Sequence, residues 1–258
     1  IVSAEKFVKA ARDNGYAVGG FNTNNLEWTQ AILRAAEAKK APVLIQTSMG
    51  AAKYMGGYKL CKALIENLVE SMGITVPVAI HLDHGHFEDA LECIEAGYTS
   101  VMFDGSHLEL DENIKVTKEV IKLAKKYGAD VEAEIGCVGG SEDGSEDIAI
   151  NCTKPEDAVK FEKETGVDAL AIAIGNAHGN YKSTPKLRFD ILEEVEKNTK
   201  LPLVLHGGTG ITPDDFVRCA HTGIKKINIA TATFDSVEHT VKSAYEKGEI
   251  SGYYDLQG

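Results

Sequence analysis

Short apolar runs that break off in polar residues recur along this chain, and each is followed by a stretch with helical spacing. The clearest is Val-Pro-Val-Ala-Ile-His-Leu-Asp-His-Gly (76–85). It is apolar at nearly every position, as strands covered on both faces are, and turns polar at its end. Strands are expected over 17–22, 42–48, 76–83, 100–106, 130–136, 169–175, 201–208 and 225–231. Helical periodicity fills 26–40, 58–72, 87–96, 113–127, 155–165, 187–198, 213–221 and 233–245. An amphipathic helix capped by Ser3 and running to about Asn14 precedes them. Pro155 and Pro213 stand at helix starts, where a missing N–H costs least.

Repeated β-then-α units on this scale predict an α/β protein, a (β/α)8 TIM barrel with an extra N-terminal helix, formed by 1–258 as one domain. An open doubly wound sheet fits less well, because no G-x-G-x-x-G follows the first strand and no break in composition marks a second domain. The connection 137–153, rich in Gly, Ser and acidic residues, is too long for a simple turn and reads as a lid beside the strand ends. The tail stops at Gly258 without a helix cap, so the C-terminal region is expected to be incomplete. The start at Ile1 likewise suggests a trimmed first residue.

Composition narrows the function. The 258 residues are 43% hydrophobic and 26% charged, the balance of a soluble globular protein. A net charge of −12 argues against a nucleic-acid or anionic-membrane partner. It leaves room for a small anion bound by backbone amides. Five scattered cysteines without a C-x-x-C suit free thiols in a reducing cytoplasm. No apolar run is long enough to span a bilayer, and no signal-peptide core opens the chain.

Candidate chemistry gathers at strand ends, where α/β barrels carry it. His84, His178 and His206 each follow a strand, and three imidazoles around an open fourth position are a common way to hold catalytic zinc. Of the remaining histidines, including His81, His86 is the one that competes for a ligand role. Asp83 arrives beside His84, either as a functional carboxylate or as a cap for the next helix. Asp104, Glu132, Glu134 and the lid residue Glu142 supply acids on the same face. Alternation points Glu132 and Glu134 to one side of the sheet. Asp104 with Glu134 would hold a second cation or orient the histidines. A buried salt bridge is disfavoured for these acids, because Lys225 and Lys226 are placed at the start of the eighth strand and no lysine is expected inside the barrel. The same absence disfavours a Schiff base. His206-Gly-Gly-Thr-Gly and Asn228-Ile-Ala-Thr lie after strands seven and eight, the usual phosphate site of such barrels.

With these residues in view, the chain resembles the class II, zinc-dependent fructose-bisphosphate aldolase family, which includes tagatose-bisphosphate aldolases. The motifs are Phe-Asn-Thr-Asn-Asn (21–25), Gln-Thr-Ser-Met-Gly (46–50), His-Leu-Asp-His (81–84), Glu-Ala-Glu-Ile-Gly (132–136), Gly-Gly-Ser-Glu-Asp-Gly (139–144), Gly-Asn-Ala-His-Gly-Asn-Tyr-Lys (175–182) and His-Gly-Gly-Thr-Gly (206–210). The resemblance implies one catalytic zinc on His84, His178 and His206, and a second cation near Asp104 and Glu134. It implies sugar-phosphate contacts from Asn22, Ser48, Gly179, Lys182, Gly207, Thr209, Asn228 and Thr231. It implies catalysis by Asp83, acting on the 4-hydroxyl of the ketose, and by Glu142, acting on the carbon that becomes nucleophilic. The expected reaction is reversible cleavage of fructose 1,6-bisphosphate to dihydroxyacetone phosphate and glyceraldehyde 3-phosphate, a cytoplasmic step of glycolysis, in a homodimer or homotetramer.

Two departures bear on the substrate. Ala230 stands where fructose-specific members often carry Asp, and Phe234 where they often carry Arg. Tagatose-bisphosphate members share the Ala, so a tagatose-bisphosphate or other ketose-1-phosphate aldolase is the alternative. A metal-assisted sugar-phosphate isomerase and a barrel kept only for binding are further readings; the full set of proton-transfer residues argues against the second.

Overall fold

Alternation along the strands decides which side chains meet the helices and which fill the barrel. In a computed structural model that describes residues 1–140, 149–181, 184–252 and 255, eight parallel strands pair in sequence order and close, β1 on β8. The elements run α1 (Ala4–Asn14), β1 (Val18–Asn22), α2 (Leu26–Lys39), β2 (Val43–Thr47), α3 (Met49–Met55), α4 (Tyr58–Ser71), β3 (Val78–Gly85), α5 (Phe87–Ala96) and β4 (Ser100–Phe103). They continue α6 (Leu110–Tyr127), β5 (Asp130–Ile135), α7 (Pro155–Thr165), β6 (Ala169–Ile172), α8 (Phe189–Asn198), β7 (Leu203–Leu205), α9 (Pro213–His221), β8 (Ile224–Ile229) and α10 (Thr231–Glu246). This is the (β/α)8 barrel with its N-terminal helix. Most strands are shorter than the apolar runs suggest, whereas β3 keeps its expected length and runs two residues further into the rim. The short α3 was not expected; Ser48 caps it, its side chain accepting from Ala51 N at 3.2 Å.

One set of alternating positions forms the layer between barrel and helices: Val43 and Ile45 on β2, Ile80 and Leu82 on β3, Val131 and Ala133 on β5, Leu170 and Ile172 on β6, all buried with the helical side chains Ile65, Ile94, Phe161 and Leu192. The opposite set faces the barrel interior. At its lower end Val18, Leu44 and Ala79 pack against Ala4, Phe7, Val8 and Ala11, so α1 closes the floor. Asp130 holds that helix by accepting from Ser3 Oγ at 2.8 Å and Glu5 N at 2.8 Å. Above this floor polar residues, Gln46, His81, Asp83, Glu132, Lys226 and Asn228, share the interior with Met102, Ala171 and Val204.

β3 breaks the alternation at the rim. Leu82 pairs with Val101, but the next pair is Gly85 with Phe103, so three steps on β3 oppose two on β4. The extra residue is a β-bulge. It is absorbed at His84, whose φ of 47° is left-handed and unusual for a residue with a side chain. Asp83 and His84, adjacent in sequence, thereby both serve the upper mouth.

Phe161 of α7 is completely buried between helix and barrel. Phe161→Ala is expected to lower unfolding free energy by about 3–5 kcal/mol, read from urea denaturation midpoints.

Candidate active site

The interior polar residues form one connected belt. Asp83 is 2% exposed and accepts from Asn22 Nδ2 of β1 at 2.8 Å and from Asn228 Nδ2 of β8 at 2.9 Å. Asn22 is itself oriented by Gln46 of β2, whose Nε2 donates to Asn22 Oδ1 at 3.0 Å. Burial works to raise the Asp83 pKa, but the His84 and His206 rings, the Lys226 ammonium and the Asn22 amide outweigh it, and the net shift is downward. Asp83 is therefore a held carboxylate, and it caps no helix: the N-cap of α5 is His86, whose N–H donates to Asp89. His86 is exposed and takes no place among the grouped donors.

His84, His178 and His206 do converge, each offering a ring nitrogen within 4.8 Å of the others. The ring centroids of His84 lie 4.4 Å from His206 and 4.9 Å from His178. Carboxylates stand behind two of the rings. Asp104 Oδ2 is 2.7 Å from His84 Nδ1, and Glu132 Oε1 is 2.9 Å from His206 Nε2. An ionised carboxylate only accepts, so those nitrogens carry the protons and the lone pairs fall on His84 Nε2 and His206 Nδ1. These two nitrogens face each other at 2.6 Å. Two lone pairs so placed invite a shared cation, and with the third imidazole the group could hold a metal ion. Burial, the largest influence, together with the neighbouring His84 lowers the His178 pKa to about 3, and burial likewise takes His206 well below its usual value. Neutral imidazoles are the form a divalent metal requires. The donor set thus fits zinc.

A second group, His84, Asp104 and Glu134, also brings its donor atoms within 4.8 Å. Asp104 is shared with the first group as the partner of His84. Burial opposes ionisation of Asp104, yet the hydrogen bond and charge of His84, aided by Ser106, pull its pKa down on balance. Glu134 is 2% exposed, and its Oε1 accepts from Val138 N at 3.4 Å.

Two expectations are overturned. Lys226 does not sit at the start of its strand but within β8, 1% exposed inside the barrel. Its Nζ lies 2.8 Å from Glu132 Oε2, a buried salt bridge of the kind the apparent lack of an internal lysine had disfavoured. The apolar run around it hid the inward register. Lys225, the neighbour, points the other way and donates to Ala220 O at 2.5 Å. His81, passed over for want of company, is fully buried in the same network and bonds Ser100 Oγ at 2.8 Å. Strict alternation from Asp83 to His81, and from Asn228 to Lys226, is the signal that placed both inside.

Above the belt lies a cavity of about 320 Å³. Its lining includes Asn22, Ser48, Asp83, His178, Gly179, His206, Gly207, Thr209, Asn228 and Thr231, so the described substrate candidates share one space. Ala230, Tyr54 and Phe234 also line it, and Phe234 meets Trp28 edge-on at 5.0 Å. Among the described lining residues there is no lysine or arginine. The positive end of α10 opens on this cavity at Thr231, and its first turn is tied down as Thr209 Oγ1 accepts from Ala232 N at 3.0 Å. Lys182 and Glu142 lie outside the described residues.

The His178 loop is fixed by backbone proximity. Asn176 Nδ2 donates to His206 O at 2.9 Å, and Tyr181 OH bridges Ala177 N and Gly207 O at 2.8 and 3.0 Å. Gly207 has φ 62°, and a Cβ there would stand 2.1 Å from Ala177 O. Gly207→Ala is expected to lose at least roughly 1–2 kcal/mol from the left-handed backbone alone. It should also displace His178 and weaken zinc binding about tenfold or more, measured by competition with a chromophoric chelator.

Comparison with known proteins agrees with this geometry. The family model described as class II fructose-bisphosphate aldolase matches residues 2–256. A fructose-bisphosphate aldolase of Streptococcus pyogenes serotype M1 is 60% identical over 254 residues, spanning 96% of this chain and 86% of the relative. One from Streptococcus pneumoniae serotype 4 is 64% identical over 234 residues, spanning 90% and 79%. The crystal structure of the YdjI aldolase from Escherichia coli K12 superimposes with a TM-score of 0.86 at 32% identity, covering 99% of this chain and 90% of that one. The chain belongs to the class II fructose-bisphosphate aldolase family.

Proposed function

We propose that this protein reversibly cleaves fructose 1,6-bisphosphate to dihydroxyacetone phosphate and glyceraldehyde 3-phosphate. The observation that carries the reading is the meeting of three imidazoles with an anionic, amide-held Asp83 on one cavity. The family match and the fructose-bisphosphate names of the relatives support this sugar over tagatose bisphosphate.

His84, His178 and His206 are assigned to one zinc, and Asp104 with Glu134 to a second cation. When bound, zinc supplies Lewis-acid polarisation of the substrate carbonyl. Asp83 takes the proton of the 4-hydroxyl as the C3–C4 bond breaks, leaving the electron pair on C3; in condensation it returns that proton. Its two amide donors aim the carboxylate at the cavity and leave it lone pairs for this work. Glu142 is assigned the proton on C3 by family resemblance. Asn22, Ser48, Gly179, Lys182, Gly207, Thr209, Asn228 and Thr231 are assigned to the substrate. The N-terminus of α10, which opens on the cavity at Thr231, supports an anion there beside the assigned Lys182. A homodimer or homotetramer acting in the cytoplasm, with 1–258 as one domain, belongs to the same reading. Among the described residues no helix is long and apolar enough to cross a membrane.

Asp83→Ala should retain one zinc per chain and lose about 10²–10⁴-fold in kcat, followed with a coupled dehydrogenase. Near-native turnover would remove Asp83 from the mechanism. Stripping metal with a chelator should abolish cleavage, and added zinc should restore it; activity that survives complete stripping would refute the metal assignment. A kcat/KM for tagatose bisphosphate above that for fructose bisphosphate would overturn the choice of sugar.

A further inference from the structure

The reaction outlined above leaves the barrel lysine without a part. Lys226 Nζ stands 2.8 Å from Glu132 Oε2 and 3.1 Å from His81 Nε2. An ammonium has only protons to give, so it donates to both. His81 therefore carries its own proton on Nδ1 and donates a hydrogen bond to Ser100 Oγ at 2.8 Å. Lys226, Glu132, His81 and Ser100 are each less than 5% exposed, and they come from four different strands, β8, β5, β3 and β4. The ammonium is thus held from two sides in a place where it has no room to swing. What it touches on its upper side is the carboxylate that stands behind His206, through the other oxygen, Oε1, at 2.9 Å.

We propose that Lys226 is a positioning residue for the metal centre: by holding one oxygen of Glu132 it fixes the other as the acceptor for His206 Nε2–H, and so keeps the His206 Nδ1 lone pair on the metal side. The inference rests on the assignment of His206 as a metal ligand. It reaches further than a structural salt bridge, because it forecasts the sign of an interaction between two substitutions. In Glu132→Gln the side chain has one accepting end and one donating end. Lys226 can only donate, so it claims the amide oxygen, and the amide NH2 then faces His206 Nε2. The ring must accept at that nitrogen and carry its proton on Nδ1, where it blocks the metal. Removing the lysine as well, in Glu132→Gln/Lys226→Met, frees the amide to turn over and present its oxygen to His206. The second substitution repairs the first. A lysine that merely stabilised the fold would add its own damage instead.

The full-length chain and the variants Glu132→Gln, Lys226→Met and Glu132→Gln/Lys226→Met are titrated with cobalt(II) alone. The ligand-field spectrum is recorded, and zinc affinity is measured by chelator competition after circular dichroism has established folding. The parent chain is expected to bind one cobalt, and Glu132→Gln to bind about 10- to 100-fold more weakly. The double variant should recover most of that loss, and Lys226→Met alone should bind about tenfold more weakly with an altered cobalt spectrum. A double variant that binds no better than Glu132→Gln overturns the proposal, as does Lys226→Met with parental affinity and spectrum. A parent chain that takes up no cobalt removes the metal assignment itself, a result distinct from either. Should the variants not fold, nitrogen-15 NMR of the zinc-loaded parent decides. His81 protonated on Nδ1 and His206 on Nε2 support the proposal; a proton on His81 Nε2 overturns it.

Discussion

A charge inside a β-barrel has to be met within hydrogen-bond reach, and in this protein the pair of Glu132 and Lys226 sets that condition for everything above it. Neither group would be tolerated alone at this depth. Together they leave one carboxylate oxygen over, and that oxygen faces His206. Asp104 does the same for His84 from the neighbouring rim. The imidazoles are thus oriented from behind, which decides the nitrogen each presents. Three imidazoles gathered from β3, the loop after β6 and the end of β7 need such backing, because no local contact in the sequence relates these positions to one another.

The backbone makes the second contribution. Regular alternation would send Asp83 and His84 to opposite faces of β3. The bulge opposite β4, with His84 in the left-handed region, lets a single strand deliver both the carboxylate and an imidazole to the mouth. Backbone approach also holds the His178 loop, through Gly207 against Ala177 and Gly140 against the His178 carbonyl. Strain and close packing sit at the rim, where the function is, while the floor below is ordinary apolar packing against α1.

An acidic chain with a net charge of −12 can still accept a phosphorylated sugar because recognition is local. The described part of the cavity offers amides, hydroxyls and a helix N-terminus rather than cationic side chains. Such donors are fixed by the fold and lose little entropy on binding, whereas a flexible lysine would. The aromatic contribution of Phe234 and Trp28 gives this cavity one wall with little hydrogen-bonding capacity.

Periodicity and strand-end chemistry by themselves determined the barrel, its opening helix, the three histidines and the carboxylate beside the first of them. These follow from local rules: apolar runs of strand length, helical spacing between them, and polar residues where a strand emerges from cover. They did not determine that Lys226 faces inward or that His81 joins it, although the two-residue step from Asn228 and from Asp83 carried the hint. In a strand buried on both sides, composition does not distinguish the interior from the helix-facing layer. Nor did they determine the short helix α3 or the bulge at His84, which arise from pairing between strands. Which carboxylate stands behind which imidazole was left to closure of the barrel, because hydrogen bonds across its interior join residues 19 to 145 positions apart, and only the register of strands around the ring sets those distances.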